Sequence, residues 1–550
     1  MRYVFLIFLF SALFSNDQIP GNDQKRPILL KGGTLHTVSG DVLKEHDLLF
    51  AEGRIITIDE QIQPSPDTDI YEIYGKHVIP GFVAAYTRIG LTEISAVKQT
   101  NDHSEIGSIN PNVRANVAYN PDSDLIPVTR SNGVLVVNSA PSSGRISGQS
   151  SVMELDGWTW EDATLKHPAG LNINWPYMYV NYDKNRKKSD KAQRDEYKSQ
   201  IREINDLVRN VRAYHKRKNA KERKAEHKQE TDLRLESMIP FVIYKEPIHV
   251  KANDIRQIEA AVKWANEQDL NIVIVGGRDS WINPEILVEN NVPVILLGVQ
   301  VTPWRRFEPI HISYKLPSIL HEAGVHFCIS LDPGYPMDGH VRTLPDEAMR
   351  AASWGLSKDQ ALRSITLSAA EILGVDDRIG SLEPGKDATF FIAESEPLTQ
   401  TTNPIKAFIK GRELDLSDRQ KNLWNNYTYF SNQTRAIEKH FKKLALKIIK
   451  DYKLKHEDLV IDIGSNDGSF LKMFKNKTKV LGIDPAKTVA EFAINKNKIP
   501  TLISYFENKT VQKIKMKYTK AKIILAFNVF AHTPSMIDFV KCVKKILDIK

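Results

Sequence analysis

Cysteine is nearly absent: the 550 residues contain two, Cys328 and Cys542. Two thiols in separate parts of the chain make neither a disulfide framework nor a cysteine zinc site. Long apolar runs are lacking too. Only the first fifteen residues approach one, and they are too short for a comfortable permanent span. A dominant charge sign is also missing, since 75 Lys and Arg face 67 Asp and Glu, a net charge of +8. The basic excess gathers in residues 184–228 and after about residue 430. Neither stretch interleaves base with aromatics, so solvated helices are expected rather than a nucleic-acid surface. The chain is 41% apolar and 26% charged, which is ordinary for a globular protein, and its length calls for two or three domains.

Met1 to Ser15 carries one positive charge, an apolar stretch and small residues at its end. That layout predicts a secretory signal peptide (1–15) and an exported or periplasmic chain, with no membrane span after its removal. Residues 27–78 hold short alternating runs broken by Gly32-Gly33 and Glu52-Gly53, the pattern of hairpin strands. Eight apolar segments then follow, beginning with Val78–Gly90. The others start at Gly133, Ser151, Leu171, Ile248, Asn271, Pro293 and Phe327, and eight is the number a β/α barrel requires. Helical patterns at 255–265, 345–355 and 357–374 join some of them. Residues 184–235 read as a charged, solvent-facing helical insertion between strands four and five. The Gly/Ser-rich Ser142–Ser151 reads as a loop after strand two.

The segment Pro80-Gly-Phe-Val-Ala-Ala-Tyr-Thr-Arg88 resembles the first barrel strand of the amidohydrolase superfamily, whose pattern is Pro-Gly-Phe-x-Asp-x-His-x-His. Gly380–Ile392 resembles the closing motif of that family, and Ile405–Arg412 its final strand. The resemblance, imidazolonepropionase-like, covers about 27–415. It implies an α/β fold: a β/α barrel (79–379) with a small β-sandwich built from both flanks (27–78 and 380–415). It also implies a hydrolase acting on non-peptide C–N bonds. The metal ligands are replaced, however. Ala84, Tyr86 and Arg88 stand at the Asp and His positions of strand one, Lys251 at the strand-five histidine, and Gly276-Gly277 at the strand-six histidine. Asp332 alone matches, at the strand-eight aspartate. Asp332, Lys251, Arg88 and Tyr86 are therefore the candidate catalytic residues, with no metal and no other barrel cofactor expected. His249 is expected on the face of its strand opposite Lys251. Fixed cations where a divalent ion would sit repel it by on the order of 4 kcal/mol at 4 Å and an effective dielectric of 20. The partner expected is a small, anionic molecule; a non-catalytic anion-binding barrel is the alternative.

After a linker at 416–430 a second signature begins. Asp458–Gly468 is an apolar strand entering a Gly-rich turn, followed by a predicted helix at 469–475, and Val480–Asp484 ends a second strand in an acid. With Ile523–His532, the stretch 431–550 resembles class I S-adenosylmethionine methyltransferases of the sugar C-methyltransferase type. That implies a partial Rossmann-like doubly wound sheet, with S-adenosylmethionine held by Asp462, Gly464, Asn466, Gly468, Asp484 and Asn528. The later strands of that family are not met before Lys550, so a fusion of an exported barrel with a truncated methyltransferase is expected. A cytoplasmic cofactor conflicts with export, and methyl transfer remains the second functional alternative.

Overall fold

The structure is a computed structural model. It describes residues 18–548 apart from 94–97, 181, 183–186, 223–229, 333–336, 400–401, 403, 417–434, 528, 530–532 and 534–535. The expected signal peptide, most of the linker and Asn528 lie outside the described residues. The chain divides into two compact units, Met1–Ser417 and Asp418–Lys550.

The first unit begins with β1 (Ile28–His36), β2 (Val42–Ala51), β3 (Arg54–Asp59), β4 (Asp69–Glu72) and β5 (His77–Pro80). Glu52 and Gly53, both with positive φ, make the tight turn predicted between β2 and β3. β1 bends at Gly32-Gly33. Its first half pairs with β4 and its second half with β5, so one strand serves both sides of a folded sheet. Only glycine fits at 32, where φ is +72° and a Cβ would stand 2.1 Å from the Tyr74 ring.

The barrel follows as β6 (Phe82–Thr87), β7 (Val134–Ser139), β8 (Ile146–Glu154), β9 (Thr164–Asn174), β10 (Ile248–Ala252), β11 (Ile272–Gly276), β12 (Val294–Leu297) and β13 (Phe327–Ser330), hydrogen-bonded in that order. All eight predicted segments are strands. The first is split: its Val78–Pro80 portion lies in β5 of the small sheet, and only the part after Gly81 enters the barrel. Ser330 joins the two ends, its Oγ accepting from Tyr86 N at 3.0 Å and donating to Tyr86 O at 3.1 Å. Residues alternate between two apolar layers. Val83, Val136, Val152, Val273, Ile295 and Cys328 fill the interior, with the helix Leu367–Leu373 packed against them. Phe82, Val134, Leu171, Val250 and Ile274 face the surrounding helices.

Three expectations are corrected here. β8 runs antiparallel to both β7 and β9, because short connections on each side make hairpins that leave no length for a crossover helix. The segment Ser142–Ser151 is loop only to Arg145, and from Ile146 onward it is buried strand. The insertion is not solvent-facing throughout. In its helix Asp190–Glu222, Ile204, Val208 and Val211 are buried in the barrel's outer layer, and Trp264 Nε1 donates to Asn205 Oδ1 at 2.8 Å. Three apolar positions spaced four and three apart give a narrow stripe that high local charge conceals.

The chain returns to the first sheet with β14 (Phe390–Ala393), β15 (Pro404–Ile409) and β16 (Arg412–Glu413). The sheet order is β16-β15-β14-β5-β1-β2-β3, so the two flanks share one core as the resemblance implied. Phe50, Phe390 and Phe408 meet there with ring centroids 5.1 to 5.5 Å apart.

The second unit is a four-stranded, all-parallel sheet of β17 (Leu459–Ile463), β18 (Lys479–Asp484), β19 (Thr501–Ile503) and β20 (Ala521–Leu525), in the order β19-β18-β17-β20. That order is half of a doubly wound sheet. The helix predicted at 469–475 is a single 3-10 turn, Leu471–Met473. Cys328 and Cys542 are both buried and free, one in each unit. No helix among the described residues is long and apolar enough to cross a membrane.

Candidate functional site

The carboxyl ends of the parallel barrel strands bring three of the four predicted residues within electrostatic reach and add the fourth through one contact. Lys251, near the end of β10, sets its Nζ 3.3 Å from Oδ1 of Asp332, just past β13. Tyr86 is buried at 2% exposure. Burial holds its phenol far above the ordinary value; the Arg88 charge pulls it down and the Asp332 charge pushes it up. The phenol therefore stays protonated through the neutral range. Glu93 accepts from Ser123 Oγ at 2.9 Å and Asn120 Nδ2 at 3.3 Å.

His249 is not on the opposite face from Lys251. Strand side chains repeat every two residues, so positions 249 and 251 share a face, and their register partners Val273 and Val275 line the interior. The imidazole lies so close to Gly170 that a Cβ there would stand 2.5 Å from the ring. Burial, then the Lys166 charge, pushes His249 down to about 4. It is neutral at pH 7, one layer below the Lys251–Asp332 pair.

Gly276 ends β11 with φ +103°, and a Cβ there would stand 2.4 Å from Asn253 Oδ1. The Asn253 amide thus occupies the space a side chain at 276 would need. Sequence reasoning missed Arg305, whose guanidinium reaches Asp279 at 2.6 Å, Glu308 at 2.6 Å and Asp254 at 3.2 Å. It ties together the segments that follow β10, β11 and β12, and nothing in Trp304-Arg-Arg-Phe307 marks which arginine does so. Among the described residues no group of three or more His, Cys, Asp or Glu is arranged to hold a metal ion.

In the second unit, Gly464 and Gly468 have φ of +73° and +71°. A Cβ at Gly468 would stand 3.0 Å from Ile499. Asn466 also has positive φ, which directs its N–H to Asp484 Oδ2 at 2.8 Å, while Ala486 N donates to Oδ1 at 2.9 Å. Asp484 is thus engaged by backbone at the end of β18. Asp462 is buried at 3% exposure. Desolvation, then the Asp484 charge, pushes it up to about 7.

The sequence model of the amidohydrolase family matches residues 313–414. Among solved structures the chain is similar to an amidohydrolase from Thermotoga maritima MSB8, at 26% identity and a TM-score of 0.62, over 70% of this chain and 99% of that one. Among curated proteins it is similar to amidohydrolase tasK of Hapsidospora irregularis, 23% identical over 392 residues, which is 66% of this chain and 39% of that protein. It is also similar to C-methyltransferase NovU of Streptomyces niveus, 28% identical over 126 residues, which is 23% of this chain and 30% of that protein. The chain therefore spans well under half the length of each curated relative. Together with the eight-stranded barrel and the returning flank of β14 to β16, the three amidohydrolase findings support membership of this chain in the amidohydrolase superfamily.

Proposed function

We propose that the barrel is an imidazolonepropionase-like hydrolase of non-peptide C–N bonds that works without the family's divalent metal, on a small anionic substrate. The observation that carries this reading is the contact of Lys251 Nζ with Asp332 Oδ1 at 3.3 Å, across the ends of β10 and β13. An ammonium at a ligand position, paired with the one carboxylate the family would offer, repels a second cation. Asn253 filling the space beside Gly276 removes another ligand position. The donor set does not fit a divalent metal.

In this arrangement Asp332, 59% exposed at its side chain, takes a proton from water as general base. The hydroxide so formed adds to the carbonyl carbon, and Lys251 donates to the developing oxyanion. The C–N bond then breaks, and protonated Asp332 returns the proton to the leaving nitrogen. Arg88 supplies positive charge for an anionic group on the substrate. The test is hydrolysis of carboxylate-bearing amides and lactams in the presence of a chelator, with Lys251→Met and Asp332→Asn as controls. Turnover that appears only on adding zinc sinks the metal-free reading. Tight binding of the anions without turnover favours the non-catalytic barrel.

A second reading concerns Asp418–Lys550, on the observation that Asp462 is a buried acid beside Asp484 at the carboxyl ends of adjacent strands. We propose that this unit holds S-adenosylmethionine, which supplies an electrophilic methyl group, with Gly464 and Gly468 permitting close backbone approach and Asp484 taking hydroxyls. Calorimetric titration of the full chain, with Asp484→Ala as the control, tests it. Heat unchanged by that substitution rejects it.

A further inference from the structure

The amino end of the barrel carries a site unconnected with the mouth. Because β8 is antiparallel, its carboxyl end arrives beside the start of β7: Glu154 is the register partner of Val136, and Leu155 N donates to Leu135 O at 2.9 Å. Two carboxylates, Glu154 and Asp156, are thereby carried to the barrel floor. They line a partly open pocket together with Tyr119, Arg130, Gln18 and Pro20, whose inner space of about 10 Å³ is the room one water molecule needs.

Each carboxylate spends one oxygen on a neighbour. Glu154 Oε2 meets Lys410 Nζ at 2.6 Å. Asp156 Oδ1 accepts from Gly21 N at 3.2 Å and Arg130 Nη1 at 3.4 Å. The other oxygens, Glu154 Oε1 and Asp156 Oδ2, are buried and have no hydrogen-bond partner among the described residues, and the same holds for Tyr119 Oη. Arg412 Nη1 lies at 3.9 Å from Asp156 Oδ2. All three side chains are more than nine-tenths buried, at 4% exposure for Tyr119, 2% for Glu154 and 6% for Asp156. Beyond burial, the charges of Glu93, Arg130 and Asp156 act on the Tyr119 phenol, which sets Tyr119 beside Asp156.

We propose that this cavity is a binding site for a single internal water molecule, which donates to Glu154 Oε1 and Asp156 Oδ2 and accepts from Tyr119 Oη. Two acceptors and one donor match the two protons and one lone pair of a three-coordinated buried water. A cation would suit the carboxylates but not a phenol that must also donate, nor the neighbouring Arg130, Lys410 and Arg412. The N-terminal segment is part of the site, because Gln18 Nε2 donates to Ser123 O at 2.5 Å and Gly21 N to Asp156. Lys410 and Arg412 also line a larger cavity of about 320 Å³ with Asp23, Arg54, Arg378 and Asp387. These two cations stand between the larger cavity and the buried carboxylates.

A crystal structure of the full chain at a resolution that defines single waters tests this directly. One density peak within about 3.2 Å of all three oxygens is expected. In Tyr119→Phe the peak should weaken or vanish, with the melting temperature lowered by about 2 °C. An empty cavity with the three side chains placed as described overturns the proposal. So does a peak with anomalous signal and ligand distances near 2.4 Å, which would be a cation. The wild-type measurement decides even if the variant does not fold.

Discussion

The barrel mouth and the ends of β17 and β18 both present carboxylates, and they handle the charge in opposite ways. At the barrel mouth Asp332 is exposed and faces an ammonium from its own chain, Lys251 at 3.3 Å. At the ends of β17 and β18, Asp462 is buried and Asp484 accepts the backbone N–H groups of Asn466 and Ala486; burial, then the Asp484 charge, pushes Asp462 up to about 7. The same topological position thus yields a neutralised pair in one unit and a proton-holding acid in the other. A parallel sheet delivers acids to its carboxyl edge, but burial and the nearest cation decide whether they ionise.

The largest effect should come from breaking the second case. Between pH 4 and 7 the folded chain keeps a proton on Asp462 that the unfolded chain has released. Stability therefore falls as pH rises through that window and is lowest above it. Asp462→Asn is expected to stabilise the second unit by roughly 2–4 kcal/mol at pH 8, with much less gain near pH 4. Denaturant unfolding of the full chain at both values measures this, and equal gains at the two would refute the buried-acid account.

A comparable test in the barrel uses the opposite sign. His249 is pushed down to about 4, so below pH 6.5 the unfolded chain binds a proton that the folded barrel refuses. Its stabilising contribution is complete above 6.5 and is lost as pH falls toward 4. At pH 5 the barrel should have lost about 2 kcal/mol on this account. His249→Gln should lose correspondingly less between pH 7 and 5, a difference read from urea midpoints. His167, also pushed down to about 4 with burial as the main cause, adds a similar slope that the variant leaves in place.

Lys251→Met sharpens the contrast at the mouth. With the Lys251 side chain 30% and Asp332 59% exposed, the pair should contribute less than about 1 kcal/mol to stability. Affinity for a carboxylate-bearing ligand should nevertheless drop at least about tenfold, equivalent to roughly 1.4 kcal/mol. Unchanged affinity by calorimetry would move the anion site away from Lys251. The smallest expected effect is from metal: dialysis against a chelator should leave the barrel's melting temperature unchanged, and a zinc equivalent that survives dialysis would contradict the proposed donor set.

Much of this was legible in the chain. The Pro80-Gly81 frame, the eight apolar segments and the Phe390–Ile409 return each announce themselves locally, because burial on both faces of a strand demands an unbroken apolar run. Motif alignment placed Lys251 and Asp332 at strand ends, but their 3.3 Å contact is visible only in the structure. The antiparallel course of β8 was hidden, since strand direction leaves no trace in composition. The buried stripe of the 190–222 helix was masked by its charges. His249 shares the interior face of Lys251, as the two-residue period of a strand dictates.

The sequence by itself determined where most strands lie and which acids and cations reach strand ends, because alternation, turn glycines and motif spacing are local properties. Only the tertiary structure decided what those groups do. The protonation of Asp462, the neutrality of His249, the three-carboxylate grip of Arg305 and the polar cavity under β8 all depend on distances between segments remote in the chain. Desolvation and Coulomb energy are set by those distances and by the surrounding burial, neither of which a linear pattern encodes.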